Sequence, residues 1–251
     1  MNIAESDIRF FKEAISAIPE AVIRGDGKCL PLEVTFRLSA PIAMNYAWLS
    51  FDSLITRLVL LQSMGEKFYL MPRNAWIDIS RAIAAVPILR TGELFHASFS
   101  VLDNHRTATE IRYKRFEDRW AGGKKRVKND GGFFINRMIR HLYLPATTVT
   151  FYVNGDLAKL AQLCESVDSL GSNPNCGWGA VRGFEIRETP GDWSLVKDGV
   201  AMRPIPVELV EYASETWPMS WKTPYWMKTN VVMCVPPGAE VRLKRRHDEK
   251  G

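Results

Sequence analysis

A glycine-rich segment, NPNCGWGAVRGFEI at residues 173–186, has the composition best suited to chemistry in this sequence. It holds three glycines within seven residues, and a tryptophan and an arginine lie between them (Gly177, Trp178, Gly179, Arg182, Gly183). Glycine backbone can approach a phosphate closely because no Cβ intervenes, and an arginine adds a forked donor. Trp178 could stack on a base. The segment predicts a nucleic-acid contact; the alternative is a tight connection with Trp178 in the core.

A basic segment precedes the glycine segment. Residues 111–140 contain ten basic and three acidic side chains, a net charge of +7, whereas the whole chain carries +5. The basic residues are Arg112, Lys114, Arg115, Arg119, Lys124, Lys125, Arg126, Lys128, Arg137 and Arg140. Each phosphate that such residues neutralise releases a counterion, so binding should weaken steeply with salt. The alternative is a solvated surface run. Phe133, Phe134 and Tyr143 could wedge against bases or pack the segment onto a neighbour.

The remaining reactive side chains do not form a recognisable catalytic or metal-binding pattern. The four histidines are His96, His105, His141 and His247, and no two have a spacing typical of paired acid–base groups. We therefore expect them to have surface or packing roles. The four cysteines form no CxxC pair. A nucleophile elbow, a P-loop and a carboxylate metal motif are also absent from the sequence. We expect no cofactor, no metal and no catalysis.

Alternating and helical patterns place these residues on a sheet with helices. Residues 31–40 alternate apolar and polar side chains, which predicts a half-buried strand. Residues 50–65 predict a helix that Ser50 caps and Gly65 ends. Residues 93–101 and 105–117 predict two strands of one hairpin that turns at Asp103 and Asn104, with Arg112 and Lys114 pointing outward.

The second half of the chain repeats the order of strand and helix. Residues 147–153 predict a strand from their β-branched and aromatic content. Asp156 is predicted to cap a helix that Gly171 ends. The glycine segment and a last strand at residues 183–188 follow. From about Pro190 the chain is rich in tryptophan and proline, and its patterns assign no elements.

The order of these elements is βαββαβ, with the basic segment inserted between the middle strands. It predicts an α+β, ferredoxin-like (RRM-like) core with two helices on one sheet face, and the open face of such a sheet is a common RNA platform. We expect residues 1–251 to form one decorated domain. Its core spans about residues 31–188, its basic thumb insertion about 117–146, and its C-terminal extension about 190–251.

Bulk properties exclude several classes of protein. The apolar fraction of 46% and the charged fraction of 24% are ordinary for a globular chain. The sequence contains no apolar run long enough to span a membrane, so we expect no membrane partner. Residues 1–22 carry acidic side chains and predict a short amphipathic helix rather than a signal peptide, which makes the cytoplasm the expected location.

The combination of these features resembles the RAMP superfamily of CRISPR proteins. The resemblance covers about residues 31–237, including PLEVTFRLSAPIAMNYAWLSFDSLITRLV, the glycine segment, DWSLVKDGVAMRPIPVE and TPYWMKTNVVMCVPP. The last two stretches are similar to the subunit that caps the 5′ handle of the guide RNA in type IV CRISPR complexes. The glycine segment here is shorter than the fuller family form.

The resemblance implies a fold, partners and a role. The glycine segment would pack against RNA backbone, and the insertion would be a thumb that meets the guide. Partners would be the guide RNA 5′ handle, a neighbouring RAMP backbone subunit, the large subunit of the complex and the target DNA duplex. Two other functions stay open: a metal-independent endoribonuclease that processes guide RNA with His96 or His141, and a generic ferredoxin-like RNA-binding domain. The N-terminal segment and the tryptophan-rich C-terminal region would bury against partner subunits or extend the core.

Overall fold

The computed structural model describes residues 5–19, 29–45, 47–71, 77–115, 131 and 135–244. The helices in these ranges are α1 (Glu5–Ser16), α2 (Phe51–Met64), α3 (Ser80–Ala84) and α4 (Leu157–Cys164). The strands are β1 (Cys29–Leu38), β2 (Arg90–Thr91), β3 (Leu94–Phe95), β4 (Val101–Leu102), β5 (Ala108–Lys114), β6 (Arg137–Tyr143), β7 (Thr148–Asp156), β8 (Val181–Glu188), β9 (Val196–Lys197), β10 (Val200–Ala201), β11 (Ile205–Pro206), β12 (Val210–Ala213), β13 (Trp217–Ser220), β14 (Val231–Val235) and β15 (Val241–Leu243). The chain therefore combines a few helices with antiparallel sheets.

The largest sheet has four strands in the order β4-β7-β1-β8, and each neighbouring pair is antiparallel. The central strand β1 pairs with β7 from Cys29↔Asp156 to Arg37↔Thr148, and with β8 on its other side. Its predicted alternation is confirmed: the apolar side chains from Leu32 to Leu38 are buried on one face. Because the side-chain period of a strand is two, the residues between them point to the opposite face.

Helices α2 and α4 pack against the apolar face of this sheet. Phe36 of β1 and Phe51 of α2 both contact the Phe151 ring, with centroids 6.1 Å and 5.0 Å away. Ile55, Leu160 and these three phenylalanines belong to one buried cluster. Each fully buried side chain of this size stabilises the fold by about 1.5–3 kcal/mol. This shared core packs β1 and β8 on one face, and part of the candidate site lies on their outer face.

The predicted helix ends are confirmed in part for both α2 and α4. Ser50 stands at the N-cap position of α2, but its side chain makes no capping hydrogen bond. Gly65 follows α2 with a φ of 58°. The Asp156 side chain accepts a hydrogen bond from the Lys159 backbone N–H, as predicted for a cap. Helix α4, however, ends at Cys164 rather than near Gly171, so that part of the prediction was wrong. Residues 168–170 instead pair with residues 179–181 of the glycine segment, so their backbone groups are satisfied outside a helix.

The hairpin predicted from residues 93–117 was also wrong. Strand β5 pairs with β6, from Ala108↔Tyr143 to Lys114↔Arg137, and not with residues 93–101. Asp103 explains the departure, because its carboxylate accepts hydrogen bonds from the backbone N–H and hydroxyl of Thr147. This contact fixes β4 beside β7, and the chain then leaves the sheet. The projecting hairpin therefore starts at Ala108, earlier than the insertion predicted near residue 117.

The C-terminal residues, which the sequence patterns left unassigned, form short strands around a second small core. Ala201, Ile205, Val210, Val235 and Val241 are buried together there. Strands β11, β14 and β13 make one sheet, and β12 pairs with β15. The region is tied to the first core by backbone hydrogen bonds, including one of 2.7 Å from Phe99 N–H to the Met202 carbonyl.

A buried arginine joins the two cores. The Arg203 side chain is fully buried, and its Nη1 donates to the carbonyls of Phe95 and Ala97 at 2.6 and 3.0 Å. Its Nη2 donates to the Trp221 carbonyl and the Tyr225 hydroxyl, and lies 3.5 Å from Asp52 at the start of α2. Burial raises the pKa of Asp52, and the Arg203 charge and the Tyr225 hydrogen bond oppose that effect.

Candidate nucleic-acid interface

The glycine segment is a tightly packed connection between α4 and β8. Ser169 bridges to Ala180, and Leu170 N–H donates to the Gly179 carbonyl. Gly179 has a φ of +63°, and a Cβ placed there would lie 1.9 Å from the Leu170 carbonyl oxygen. No side chain fits at that distance, so the chain requires glycine at this position. Gly183, by contrast, has open space where a Cβ would stand.

The two glycine amides with positive φ serve the fold. Gly177 N–H donates to the Pro174 carbonyl and Gly179 N–H donates to the Pro41 carbonyl, both at 2.8 Å. Neither amide is therefore available to a phosphate in this conformation. The exposed residues between Asn173 and Ile186 include 173–177 and Arg182. Contact between this segment and RNA backbone stays a prediction, and it would have to use side chains or other amides.

Trp178 joins the glycine segment to the projecting hairpin. Its side chain is 7% exposed and stacks on Tyr143 with a centroid distance of 4.8 Å. The Arg112 guanidinium lies 5.3 Å from the Trp178 ring, a cation–π distance. Tyr143 thus packs the hairpin onto its neighbour, one of the two roles considered for it. Stacking of Trp178 on a base stays a prediction and would require the Tyr143 ring to move.

The described part of the hairpin is strongly basic. Ladder pairs place Arg112 beside Ile139, Lys114 beside Arg137, and Arg140 beside Ile111. Because opposite residues share a face, Arg112, Lys114 and Arg137 lie on the face that carries Tyr143, and Arg140 lies on the other. Arg115 follows β5 and covers the Tyr113 ring. The predicted residues Arg119, Lys124, Lys125, Arg126 and Lys128 lie outside the described residues, as do Phe133 and Phe134.

A shallow depression of about 290 Å³ lies where β1 and β8 begin to pair. It is lined by Arg37, Arg182, Gly183, Phe184 and Glu185. The register shifts here, since Arg37 pairs with Gly183 and Leu38 pairs with Val181. Arg182 is therefore the extra residue of a β-bulge, and bulges re-aim side chains. The structure brings the predicted Arg182 and Gly183 together with Arg37, which the sequence analysis did not single out.

The outward face of the sheet is polar. Thr35 and Thr150 hydroxyls lie 3.0 Å apart at its centre. Glu185 binds Arg37 at 3.2 Å and Arg187 at 2.7 Å. The hydrogen bond from Arg187, aided by Arg37, lowers the pKa of the Glu185 carboxyl. Tyr152 also points outward but is covered by Trp193, with centroids 5.6 Å apart.

Part of the signal for Arg37 was present in the sequence. Arg37 alternates with the buried residues of β1, so its outward direction was predictable. Its pairing opposite Gly183 was not, because periodicity does not reveal which strands are neighbours. Three of the described arginines define a basic path: Arg112 covers Trp178, Arg182 follows Trp178 along the chain, and Arg182 shares a depression with Arg37.

Three of the four histidines are described. His96 has an ordered environment, with Nδ1 2.9 Å from Asp192 Oδ2 and Nε2 2.9 Å from Thr91 Oγ1. His141 lies beside Trp178, with ring centroids 6.4 Å apart. His105 is exposed in the segment before β5. His247 lies outside the described residues.

Asp192 gathers several donors around the His96 contact. Burial favours a raised pKa for Asp192, but hydrogen bonds from His96, Ser194 and Asn154 outweigh it and hold that pKa well below its usual value. Ser194 contributes both its backbone N–H and its hydroxyl. The carboxylate is therefore ionised over the whole ordinary pH range and fixes the orientation of the imidazole.

The described part of the chain offers neither a cluster of metal ligands nor a membrane-spanning helix. No group of three or more His, Cys, Asp or Glu side chains in those residues could hold a metal ion. None of the described helices combines the length and the apolar character needed to cross a bilayer.

Comparison with known proteins shows a distant structural likeness. No family model and no curated protein sequence matches this chain. A chain from the cryo-electron microscopy structure of the type III-B Cmr-beta complex bound to cognate target RNA is similar, with a TM-score of 0.37 and 11% sequence identity. The match covers 73% of this chain and 67% of that one. At this TM-score the likeness carries no argument about what this protein does.

Proposed function

We propose that this protein is a non-catalytic guide-RNA-binding subunit of a type IV CRISPR ribonucleoprotein, gripping the 5′ handle and capping one end of the complex. One observation carries the proposal: Arg112 lies over the buried Trp178, so the basic hairpin is anchored on the glycine segment. Arg182 follows Trp178 in the same segment and shares a depression with Arg37. Such a basic path suits a polyphosphate backbone.

The proposal includes a ferredoxin-like assignment of the core and the partners that the RAMP resemblance implies. Helices follow β1 and β7, and the strand order β4-β7-β1-β8 supports the assignment. A backbone subunit would contact the hairpin, the large subunit would contact another face, and the target DNA duplex would lie nearby. The glycine segment acts by packing the hairpin and β8 together, and the arginines contact phosphates.

A binding experiment in EDTA tests this function. Labelled guide RNA with its repeat-derived handle is titrated with protein at several salt concentrations, beside an unrelated RNA of equal length. We expect tighter binding of the handle-bearing RNA, and a slope of log K against log salt of roughly −0.7 per phosphate contacted. Arg112→Ala and Arg182→Ala should each reduce affinity and make that slope shallower by roughly 0.7.

Arg90→Ala is the matched control. Arg90 is also an exposed arginine over an aromatic ring, 5.2 Å from the Phe95 centroid, but it lies in β2. We expect it to leave RNA binding unchanged. Equal binding of both RNAs would refute the handle-specific role and favour a generic RNA-binding domain. Failure to bind any RNA at low salt would refute RNA binding altogether.

A metal-independent endoribonuclease that processes guide RNA is the second candidate. The observation that favours it is the His96 imidazole, which Asp192 orients from one side and Thr91 contacts from the other. A carboxylate-oriented histidine is suited to acid–base chemistry. The same gel separates the two candidates: RNA cleavage in EDTA that is lost in His96→Ala, or in His141→Ala, would establish the enzyme.

A further inference from the structure

Two arginines share one carboxylate on the outward face of the sheet. Arg37 Nη2 lies 3.2 Å from Glu185 Oε2, while Arg187 donates from Nε and Nη2 to Glu185 Oε1 at 2.9 and 2.7 Å. The strand register explains the meeting point, since Glu185 pairs with Thr35, two residues from Arg37 along β1. Glu185 is thus the shared acceptor between two guanidinium groups.

The surroundings hold more positive charge than Glu185 neutralises. Arg182 lines the same depression as Arg37 and Glu185, and Gly183 leaves its centre open. Two guanidinium groups therefore bind one carboxylate, and a third arginine lines the depression beside it. All three members of the Arg37–Glu185–Arg187 cluster are well exposed, so solvent reaches them. Exposed ion pairs contribute little net stability, which makes replacement of the carboxylate energetically easy.

The arrangement resembles an anion-binding site in which the protein's own Glu185 carboxylate takes the place of the anion. Guanidinium forks bind carboxylate and phosphate oxygens with the same planar geometry. Two non-bridging oxygens of a phosphodiester can accept the same kind of hydrogen bonds that the two Glu185 oxygens accept here. The neighbouring threonines, Thr35 and Thr150, keep this face polar. A nucleic-acid backbone suits such a face better than an apolar protein surface does.

We propose that Arg37, Arg182 and Arg187 form a phosphate-binding site for RNA, and that Glu185 occupies the place of the phosphate in the free protein. This inference rests on the proposed RNA-binding function and extends it to the outer face of β8. RNA phosphate displaces the Glu185 carboxylate, which turns to solvent. Glu185 therefore lowers the affinity for RNA. Binding then depends on a phosphate group placed where it contacts both Arg37 and Arg187.

The decisive experiment compares Glu185→Gln with a matched control. Glu211→Gln makes the same charge change on an exposed, arginine-paired glutamate, 4.0 Å from Arg242 in the β12–β15 pair. Guide-RNA affinity is measured by fluorescence anisotropy for the wild type and both variants, with thermal melting to verify folding. We expect Glu185→Gln to bind about three- to fivefold more tightly and Glu211→Gln to change less than about twofold, as the small energies of exposed pairs imply.

A double-mutant cycle tests the competition itself. If Glu185 holds Arg37 in the free protein, Arg37→Ala should cost little in the wild type and about two- to threefold more in the Glu185→Gln background. Equal affinities of Glu185→Gln and Glu211→Gln, or an Arg37→Ala effect independent of Glu185, would overturn the inference while wild-type RNA binding stood. Absence of RNA binding by the wild type would overturn the proposed function and the inference with it.

Discussion

Replacing Arg203 with methionine should weaken the contact between the two cores and destabilise the protein. The change keeps an apolar stem of similar length but removes a guanidinium that is fully buried and donates four hydrogen bonds. It also leaves the buried Asp52 carboxylate without its positive partner. Removing one member of a buried ion pair costs about 3–5 kcal/mol, because the other charge stays buried and uncompensated.

This loss is large compared with the total stability of a folded domain, roughly 5–15 kcal/mol. We expect Arg203→Met to lower the free energy of unfolding by about 3–5 kcal/mol in urea titrations followed by tryptophan fluorescence. The matched control is Arg242→Met, whose exposed side chain lies 4.0 Å from Glu211 and should change stability by less than about 0.5 kcal/mol. Tyr225→Phe, which removes one hydroxyl between Arg203 and Asp52, should cost about 1–2 kcal/mol.

The pH dependence of Arg203→Met provides an independent test. Burial already raises the pKa of Asp52, and removal of Arg203 should raise it further. A carboxyl whose pKa is higher in the folded than in the unfolded state destabilises the protein increasingly as pH rises from its unfolded pKa toward its folded pKa. The deficit of the variant should therefore be smaller at pH 5 than at pH 8. A loss below about 1 kcal/mol, or a deficit independent of pH, would refute this account of the buried pair.

Three further changes test the glycine segment, the Asp192 cluster and the hairpin anchor. Gly179→Ala should destabilise the protein by more than about 2 kcal/mol in urea, from strain and overpacking, whereas Gly183→Ala should stay within about 0.5 kcal/mol; equal effects would contradict the steric argument. Asp192→Asn should cost about 1–2 kcal/mol at pH 7. The folded pKa of Asp192 is depressed, so its stabilising effect is present above about pH 4 and is lost at lower pH. The melting temperatures of the wild type and Asp192→Asn should therefore converge at low pH, and a difference that stays constant with pH would contradict this role of Asp192. Tyr143→Ala should speed amide hydrogen exchange in the β5–β6 hairpin by removing its stacking contact, and the exposed Tyr113→Ala should not; identical exchange would exclude the anchor.

Local patterns predicted the elements whose signal is continuous in the chain. The alternation in β1 identified both the strand and its buried face, and Asp156 marked the start of α4. Pairing was harder, because a period of two reveals a strand but not its neighbour. Nothing in the sequence indicated that the chain would leave the sheet at Asp103, directly after β4, before forming β5. The C-terminal core was missed since several of its strands contain only two residues, too few to show a period.

The candidate site was predictable in its parts but not in its assembly. The glycines, Trp178 and the basic run were visible as residue types, whereas the stack of Trp178 on Tyr143 depends on the hairpin register. Arg37 and Glu185 meet only because β1 and β8 are neighbours. Arg203 could not have been identified, because arginine is almost always exposed and its burial follows from the packing of distant segments.

The exposed Cys176 beside Arg112 gives this surface a natural attachment point for a spectroscopic probe. Burial raises the pKa of Cys164 to about 12 and that of Cys234 to about 11, so both thiols resist alkylation at neutral pH. With Cys29→Ser, a maleimide dye should therefore attach at Cys176 with every arginine of the path unchanged. Its emission would report directly whether an anionic chain passes beside the glycine segment.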